Sequence, residues 1–161
     1  MNPLRSPVAL MDATMKRRAF LLLTVVAACT KTSTDDPWPS KRVLAPEALA
    51  PRLQGDANAR PLVLHVGPKV LFKKSHLPGA VHPGETGEPD GLAALATYAE
   101  PLPRDREIVL YCGCCPWDHC PNIRPAYRRL TELGFTDVSV LDLPKTLQAN
   151  WIDRGFPVET G

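Results

Sequence analysis

The clearest hydrophobic pattern lies in the second half of the chain and predicts a strand, a helix and a second strand. Residues 108–111 form a short apolar run of β-branched and aromatic side chains, which is typical of a buried strand. From Ile123 to Leu133 apolar residues recur every three or four positions with charged residues between them, which predicts an amphipathic helix that ends at Gly134. Residues 138–141 form the next apolar run. Because parallel strands are joined by crossovers of this length, the pattern predicts a parallel α/β sheet.

Weaker patterns on either side predict the rest of one domain. We expect short strands at residues 42–44 and 62–66, with His65 as a hydrogen-bonded core residue near the end of the second. Asp90 is expected to cap a helix that follows it, and Thr146 is expected to cap the last helix of the chain. The sequence shows no internal repeat and no second domain.

The beginning of the chain has a different character from the rest. Residues 15–18 (MKRR) precede an apolar run at residues 19–28, which is too short to span a bilayer and is typical of a signal peptide. We therefore divide the chain into a leader (1–28), a lipidated cysteine with a polar tether (29–41) and a domain (42–161). The leader carries a net charge of +3, which leaves −1 on the other 133 residues against +2 for the whole chain. Since the domain has no cluster of lysine and arginine, we expect no nucleic-acid partner.

Two short motifs in the leader indicate export. Residues 26–29 (VAAC) resemble a bacterial lipobox, in which Cys29 becomes the lipidated first residue; the alternative is an incidental cysteine in a plain secretory signal. Residues 17–21 (RRAFL) resemble a twin-arginine signal, and here the alternative is an ordinary Sec signal with two arginines. We expect an exported protein, lipid-anchored at the periplasmic face of a bacterial membrane.

Four cysteines lie between the strand and the helix of the first pattern: Cys112, Cys114, Cys115 and Cys120. In open α/β sheets ligands bind beyond the carboxyl ends of the strands, so this loop is the expected site. A helix N-terminus favours an anion there, and the thiolate is the reactive form of cysteine. Cys112, which directly follows the strand, is the candidate nucleophile. Arg124 is the candidate catalytic cation, and His119 could add positive charge.

Four cues in order resemble a rhodanese-like domain over roughly residues 41–161. They are the apolar strand 62–66, residues 75–80 (SHLPGA), the strand ending at Cys112, and Trp151 followed by residues 155–159 (GFPVE). The resemblance implies a three-layer α/β fold with a mainly parallel central sheet of about five strands and helices on both faces. It implies a structural role for His76. It also implies a sulfurtransferase or persulfide carrier that needs no cofactor and whose Cys112 takes sulfane sulfur from a small donor.

The loop departs from the family pattern in its length. An arginine usually lies about five residues past the family's cysteine, whereas here the first arginine, Arg124, lies twelve positions after Cys112. The chain therefore resembles an extended, cysteine-rich variant. Phosphatases built on this fold require an arginine six positions after the cysteine, to clamp the oxyanion. Those positions after Cys112, Cys114 and Cys115 hold Asp118, Cys120 and Pro121, which excludes that class.

The loop cysteines leave three interpretations open. In the first, Cys112 carries a persulfide that Cys114, Cys115 or Cys120 resolves, and a monomer transfers sulfur from a small donor to a thiol acceptor. In the second, the same sulfurs bind Zn²⁺ or Cu⁺, with His119 as a further ligand, in a non-enzymatic metal-binding or redox-sensing module. In the third they form structural disulfides. Sulfur transfer is the preferred hypothesis.

Overall fold

The computed structural model of the protein describes residues 36–161, except for the side chain of Asp118. The predicted leader and Cys29 lie outside this range. Within it, no helix is long and apolar enough to cross a bilayer.

Four strands form one sheet: β1 (Val43–Leu44), β2 (Leu62–His65), β3 (Ile108–Tyr111) and β4 (Val138–Leu141). Their order is β1-β4-β3-β2 and every pairing is parallel. Five α-helices accompany them: α1 (Pro46–Gln54), α2 (Lys69–Lys74), α3 (Pro89–Ala99), α4 (Ile123–Glu132) and α5 (Leu147–Asn150). Short 3-10 turns are found at Ser40–Arg42, Ala57–Ala59, Trp117–His119 and Ile152–Arg154.

Alternation along β3 divides the core into two layers, one on each face of the sheet. Ile108 and Leu110 pack with side chains of α3 and α4, whereas Val109 and Tyr111 pack with side chains of α1 and α5. All four strand residues are fully buried, as expected of a parallel sheet that is covered on both faces. The three-layer α/β fold predicted from the sequence is thus confirmed.

The expected fifth strand is reduced to a single bridge at Val81. The Val81 N–H donates to the Val63 carbonyl and the His65 N–H donates to the Val81 carbonyl, both over 2.9 Å. Two positions further on, Pro83 has no N–H to donate, and a β-ladder cannot continue through it. The sheet therefore has four strands instead of about five.

Helix α4 begins and ends where the hydrophobic period predicted. Ile123, Ala126 and Leu130 are fully buried on one face, and Gly134 follows the helix at φ +87°, in the left-handed region that glycine favours. Burying a side chain such as Leu130 stabilises the fold by about 1.5–3 kcal/mol.

Helix caps and one short helix test the weaker predictions. The Thr146 hydroxyl accepts from the Ala149 N–H over 3.2 Å, so its cap is confirmed. The prediction for Asp90 was wrong, because α3 begins at Pro89 and Asp90 lies within its first turn. Proline fits that first position because it needs no intrahelical donor there. Helix α2 was not predicted, since six residues are too few to show a period.

Two residues of the predicted tether pack on the domain. Trp38 is buried against the rings of Trp117 and Tyr127, with ring centroids 5.7 and 5.5 Å away. Asp36 forms an ion pair with Arg124 over 2.6 Å. The segment before β1 is thereby held against the cysteine loop.

Candidate functional site

The cysteine loop leaves the sheet at the carboxyl end of β3 and returns to it through α4. Its first turn needs Gly113 for two reasons. The residue has φ +73°, and a Cβ there would lie 2.7 Å from the Cβ of Leu147. The Leu147 N–H donates to the Gly113 carbonyl over 2.9 Å, which fixes the turn against the start of α5.

All four loop cysteines meet in one cluster of free thiols. The Sγ atoms of Cys112 and Cys114 are 3.1 Å apart, and those of Cys114 and Cys115 are 3.2 Å apart. The sulfurs of Cys112, Cys114 and Cys120 all lie within 4.8 Å of one another. Cys112 and Cys120 are buried, whereas the other two are half-buried. The structure thus brings the four cysteines of the predicted loop to one place, with their thiols unbridged.

Asn122 and Gly67 enclose the Cys112 sulfur. The Asn122 amide Nδ2 donates to Cys112 Sγ over 3.6 Å, and its Oδ1 accepts from the Gly87 N–H over 2.6 Å, which orients the amide. A Cβ at position 67 would lie 2.6 Å from Cys112 Sγ, so only glycine leaves room for the thiol. Hydrogen bonding with the Cys120 side chain, together with burial, raises the pKa of Cys112.

Cys120 occupies the anion-stabilising position at the start of α4 that the sequence argument gave to Cys112. A hydrogen bond from the Cys112 side chain lowers the pKa of Cys120 to about 5, and the backbone N–H groups of Asn122 and Ile123 contribute in the same direction. Burial opposes the shift but is outweighed. Cys115 differs, because burial and the hydrogen bond with Cys114 raise its pKa to about 12. The cluster therefore holds its negative charge on Cys120.

The two positively charged candidates from the sequence lie outside the cluster. The Arg124 guanidinium donates to the Trp117 carbonyl over 2.7 Å and pairs with Asp36, which ties it to the loop backbone and to the N-terminal segment. His119 is exposed on the 3-10 turn Trp117–His119. The polarising groups for Cys120 come instead from the backbone of α4.

Three histidines line up behind the loop. His65 is buried, as expected, and its ring lies 5.0 Å from Tyr111 and 5.4 Å from His82, measured between centroids. Burial and the neighbouring His82 lower its pKa to about 4, so His65 is neutral at physiological pH. The His76 Nδ1–H donates to the Phe72 carbonyl oxygen over 2.8 Å, and the His76 ring stacks on the Phe72 ring. These contacts agree with the structural role implied for His76.

A cavity of about 220 Å³ opens beside the cluster. Cys112 and Cys114 are among its lining residues, whereas Cys115 and Cys120 are not. Its other walls combine apolar and polar side chains, including Leu71, Lys74, Ser75, Thr146, Leu147 and Ile152. A small polar or anionic molecule could therefore reach the Cys112 side of the cluster.

Sequence reasoning did not find three residues of the site: Asn122, Lys74 and Trp38. A role for Asn122 could have been predicted, because an asparagine directly before a helix commonly forms side-chain hydrogen bonds with nearby backbone groups. Lys74 lies on the unpredicted helix α2, and Trp38 lies in a segment whose composition is that of a tether. Their positions depend on contacts between segments far apart in sequence.

A parallel sheet with a cysteine at the end of a central strand, in a loop that leads into a helix, defines the class of rhodanese-type α/β domains. The chain belongs to the rhodanese-like domain family, whose sequence profile matches residues 46–143. No curated protein matches the chain.

Solved structures support the fold. The Alr3790 protein from Anabaena sp. is 22% identical, with a TM-score of 0.55 over 73% of this chain and 82% of that one. The BH2092 protein from Bacillus halodurans is also 22% identical, with a TM-score of 0.53 over 73% and 75%. A thiosulfate sulfurtransferase from Pseudomonas aeruginosa is 22% identical, with a TM-score of 0.52 over 73% of this chain and 20% of that one.

Proposed function

We propose that the protein is a sulfurtransferase that carries sulfane sulfur as a persulfide on Cys112. One observation carries the proposal: the Cys112 sulfur lies where the cavity meets the thiol cluster. A small donor can approach it from the cavity, and neighbouring thiols can act on the product. Membership of the rhodanese-like family supports this chemistry, and the partners are a small sulfur donor and a thiol acceptor.

With thiosulfate as donor, the Cys112 thiolate attacks the outer sulfur of the donor. A new S–S bond forms on Cys112, and sulfite leaves with the electron pair of the old bond. The proton of Cys112 must be removed first, because its pKa is raised. Cys120 carries the negative charge of the cluster and is hydrogen-bonded to Cys112, so it is the group placed to accept that proton.

Persulfide formation tests the proposal directly. The reduced protein is mixed with thiosulfate, released sulfite is counted, and peptides are mapped for an added sulfur atom. We expect about one sulfite per chain and loss of this yield in Cys112→Ser. A matched Ser139→Ala variant alters a small side chain on β4 and should keep the full yield. Undiminished sulfite release by Cys112→Ser would refute the assignment.

A second candidate function, binding of Zn²⁺ or Cu⁺, is favoured by the spacing of the sulfurs. Ligands of a tetrahedral zinc with bonds of about 2.3 Å are roughly 3.8 Å apart. The sulfurs of Cys112 and Cys114 are 3.1 Å apart, and those of Cys112, Cys114 and Cys120 all lie within 4.8 Å of one another, so small shifts would give that spacing. N–H donors such as that of Asn122 are also the outer contacts that thiolate ligands use.

This second function would have a distinct signature. Protein purified without chelator would contain about one metal per chain by elemental analysis, and Cys120→Ser would lose it. Metal on Cys112 would block persulfide formation until a chelator is added. If the purified protein contains neither zinc nor copper and takes up neither on titration, this second function is ruled out.

We propose that the chain is exported and anchored through lipid on Cys29. The support is the sequence of the leader, residues 1–28. Cys29→Ala should abolish incorporation of labelled fatty acid and release the protein from the membrane fraction. Equal labelling of the variant would argue against the anchor.

A further inference from the structure

We propose that Cys120 attacks a persulfide on Cys112, so that the carried sulfur leaves as sulfide and the loop closes into a Cys112–Cys120 disulfide. The proposal rests on the proposed function, since it requires the Cys112 persulfide to form first. It adds an activity beyond transfer to an external acceptor: reduction of sulfane sulfur by the thiols of the protein itself.

The positions of the two cysteines relative to the cavity carry the argument. Cys112 borders the cavity, so the outer sulfur of its persulfide has room there. Cys120 does not border it and is 4% exposed, yet its sulfur lies within 4.8 Å of Cys112 Sγ. A thiolate that attacks the inner sulfur of a persulfide, the one bonded to Cβ, displaces the outer sulfur as sulfide and forms a disulfide. Cys120 approaches Cys112 from the protein side, which leaves the cavity side to the departing sulfur.

The backbone holds Cys120 ready for this step. The N–H groups of Asn122 and Ile123, at the start of the ten-residue helix α4, donate to its sulfur. The side chain of Asn122 also donates to Cys112 Sγ, so one residue contacts both reacting sulfurs. Forming an S–S bond of about 2.05 Å needs a shortening of at most about 2.7 Å from the observed spacing.

Atoms and electrons balance without an external reagent. Cys120, which took up the proton of Cys112 in the first step, passes it to the outer sulfur of the Cys112 persulfide and is again a thiolate. The thiolate attacks Sγ of Cys112, a bond forms between the two Sγ atoms, and the bond to the outer sulfur breaks, so that HS⁻ leaves with its electron pair. The carried sulfur is reduced to sulfide, while the two cysteines are oxidised to a disulfide. A second turnover requires a dithiol reductant that exchanges with this disulfide.

The other two thiols are placed for different encounters. Cys114 borders the cavity together with Cys112, so it meets a donor or the outer sulfur of the persulfide on the open side. Cys115 contacts Cys114 at 3.2 Å and does not border the cavity. Neither thiol combines the two features of Cys120, which are a position away from the cavity and a sulfur close to that of Cys112.

The experiment uses the full chain, reduced and freed of metal, mixed with thiosulfate under argon without added reductant. Sulfite and sulfide are counted, and intact mass and peptide mapping follow. The wild type should release about one sulfite and one sulfide per chain and lose two hydrogens to a Cys112–Cys120 disulfide. Cys120→Ser should release sulfite but at least tenfold less sulfide, and should hold the extra sulfur on Cys112. Ser139→Ala, whose side chain lies on β4 outside the cluster, is the matched control and should release sulfide as the wild type does.

Each result separates this inference from the function on which it rests. Sulfide release by Cys120→Ser at the wild-type level, or a disulfide that joins Cys112 to Cys114, would overturn the inference and leave the persulfide intact. A wild-type persulfide that persists beside a free Cys120 thiol would also overturn it. No sulfite from any variant would overturn the persulfide itself. Peptide mapping of the wild-type protein involves no substitution, so misfolding of a variant cannot obscure the outcome.

Discussion

Cys112 and Cys120 are buried in one cluster but meet different hydrogen-bond donors. Cys120 accepts from the Cys112 side chain and from the backbone N–H groups of Asn122 and Ile123. Cys112 accepts from the Asn122 side-chain amide at 3.6 Å and from the backbone N–H of Cys114, but it also donates to Cys120. A thiolate is stabilised by the donors that point at it, so charge settles on Cys120. The proposed sulfur carrier, Cys112, and the residue that carries the charge, Cys120, are therefore different.

This division of roles predicts a thiolate on Cys120 at neutral pH. Because the pKa of Cys120 is lowered to about 5, its thiolate absorbance near the far ultraviolet should be present at pH 7 and disappear as the pH falls through about 5. Cys120→Ser should lack the transition. Cys115→Ser should keep it, since the pKa of Cys115 is raised to about 12. An acid titration that is unchanged in Cys120→Ser would contradict the assignment.

Gly67 limits the space around the Cys112 sulfur. Gly67→Ala places a methyl group 2.6 Å from Sγ, so we expect a loss of about 1–3 kcal/mol in the free energy of unfolding, together with slower persulfide formation. Gly55→Ala is the matched control, because its Cβ would make only ordinary contacts at 3.6 and 3.7 Å. Urea unfolding measures the free energy of unfolding of both variants. Equal values would show that the loop accommodates the added methyl group without loss of stability.

At the scale of elements, the β3–loop–α4 unit fixes the site and the N-terminal segment covers it. Trp38 packs on Trp117 of the loop and on Tyr127 of α4, and Asp36 neutralises Arg124. Arg124, the predicted catalytic cation, therefore joins the loop to the chain before β1.

Removing this cover should destabilise the domain. We expect Trp38→Ala to cost about 3–5 kcal/mol in the free energy of unfolding, because a buried indole is lost between two rings. Trp38→Phe should recover much of the loss. Faster hydrogen exchange in the loop, residues 112–121, should accompany the alanine variant. Unchanged exchange there would mean that the segment adds stability without holding the loop.

The elements differ in how far the sequence could predict them. The recurring apolar positions of α4 and the apolar run of β3 are local signals, and the helix and the strand predicted from them are both present. The predicted location of the cysteine loop is also correct. The single bridge at Val81 and the six-residue helix α2 depend on packing and were not anticipated. The charge on Cys120 depends on where the first N–H groups of α4 point, which spacing in the sequence does not reveal.

At the scale of the whole molecule, the buried His65 makes the free energy of unfolding depend on pH. The pKa of His65 falls from 6.5 to about 4 on folding, so the unfolded chain binds more protons between these values. The stabilising contribution of neutral His65 is complete above pH 6.5 and is lost as the pH falls towards 4.

The size of this effect follows from the shift. We expect the free energy of unfolding to drop by roughly 3 kcal/mol between pH 6.5 and 4 on account of His65. His65→Asn should flatten that part of the profile whatever its stability at pH 7. Urea unfolding at several pH values measures the slopes, and equal slopes in the wild type and the variant would disprove the linkage.

The strand order has a consequence for how the protein is made. Val43 of β1 pairs with Val140 of β4, 97 positions later, so the sheet cannot close until β4 has been synthesised. Pairings this distant in sequence slow folding. The four thiols emerge from the ribosome before β4 and are unprotected until it docks. Chaperones and reductants that act on the nascent chain therefore determine whether this cluster assembles with its sulfurs reduced.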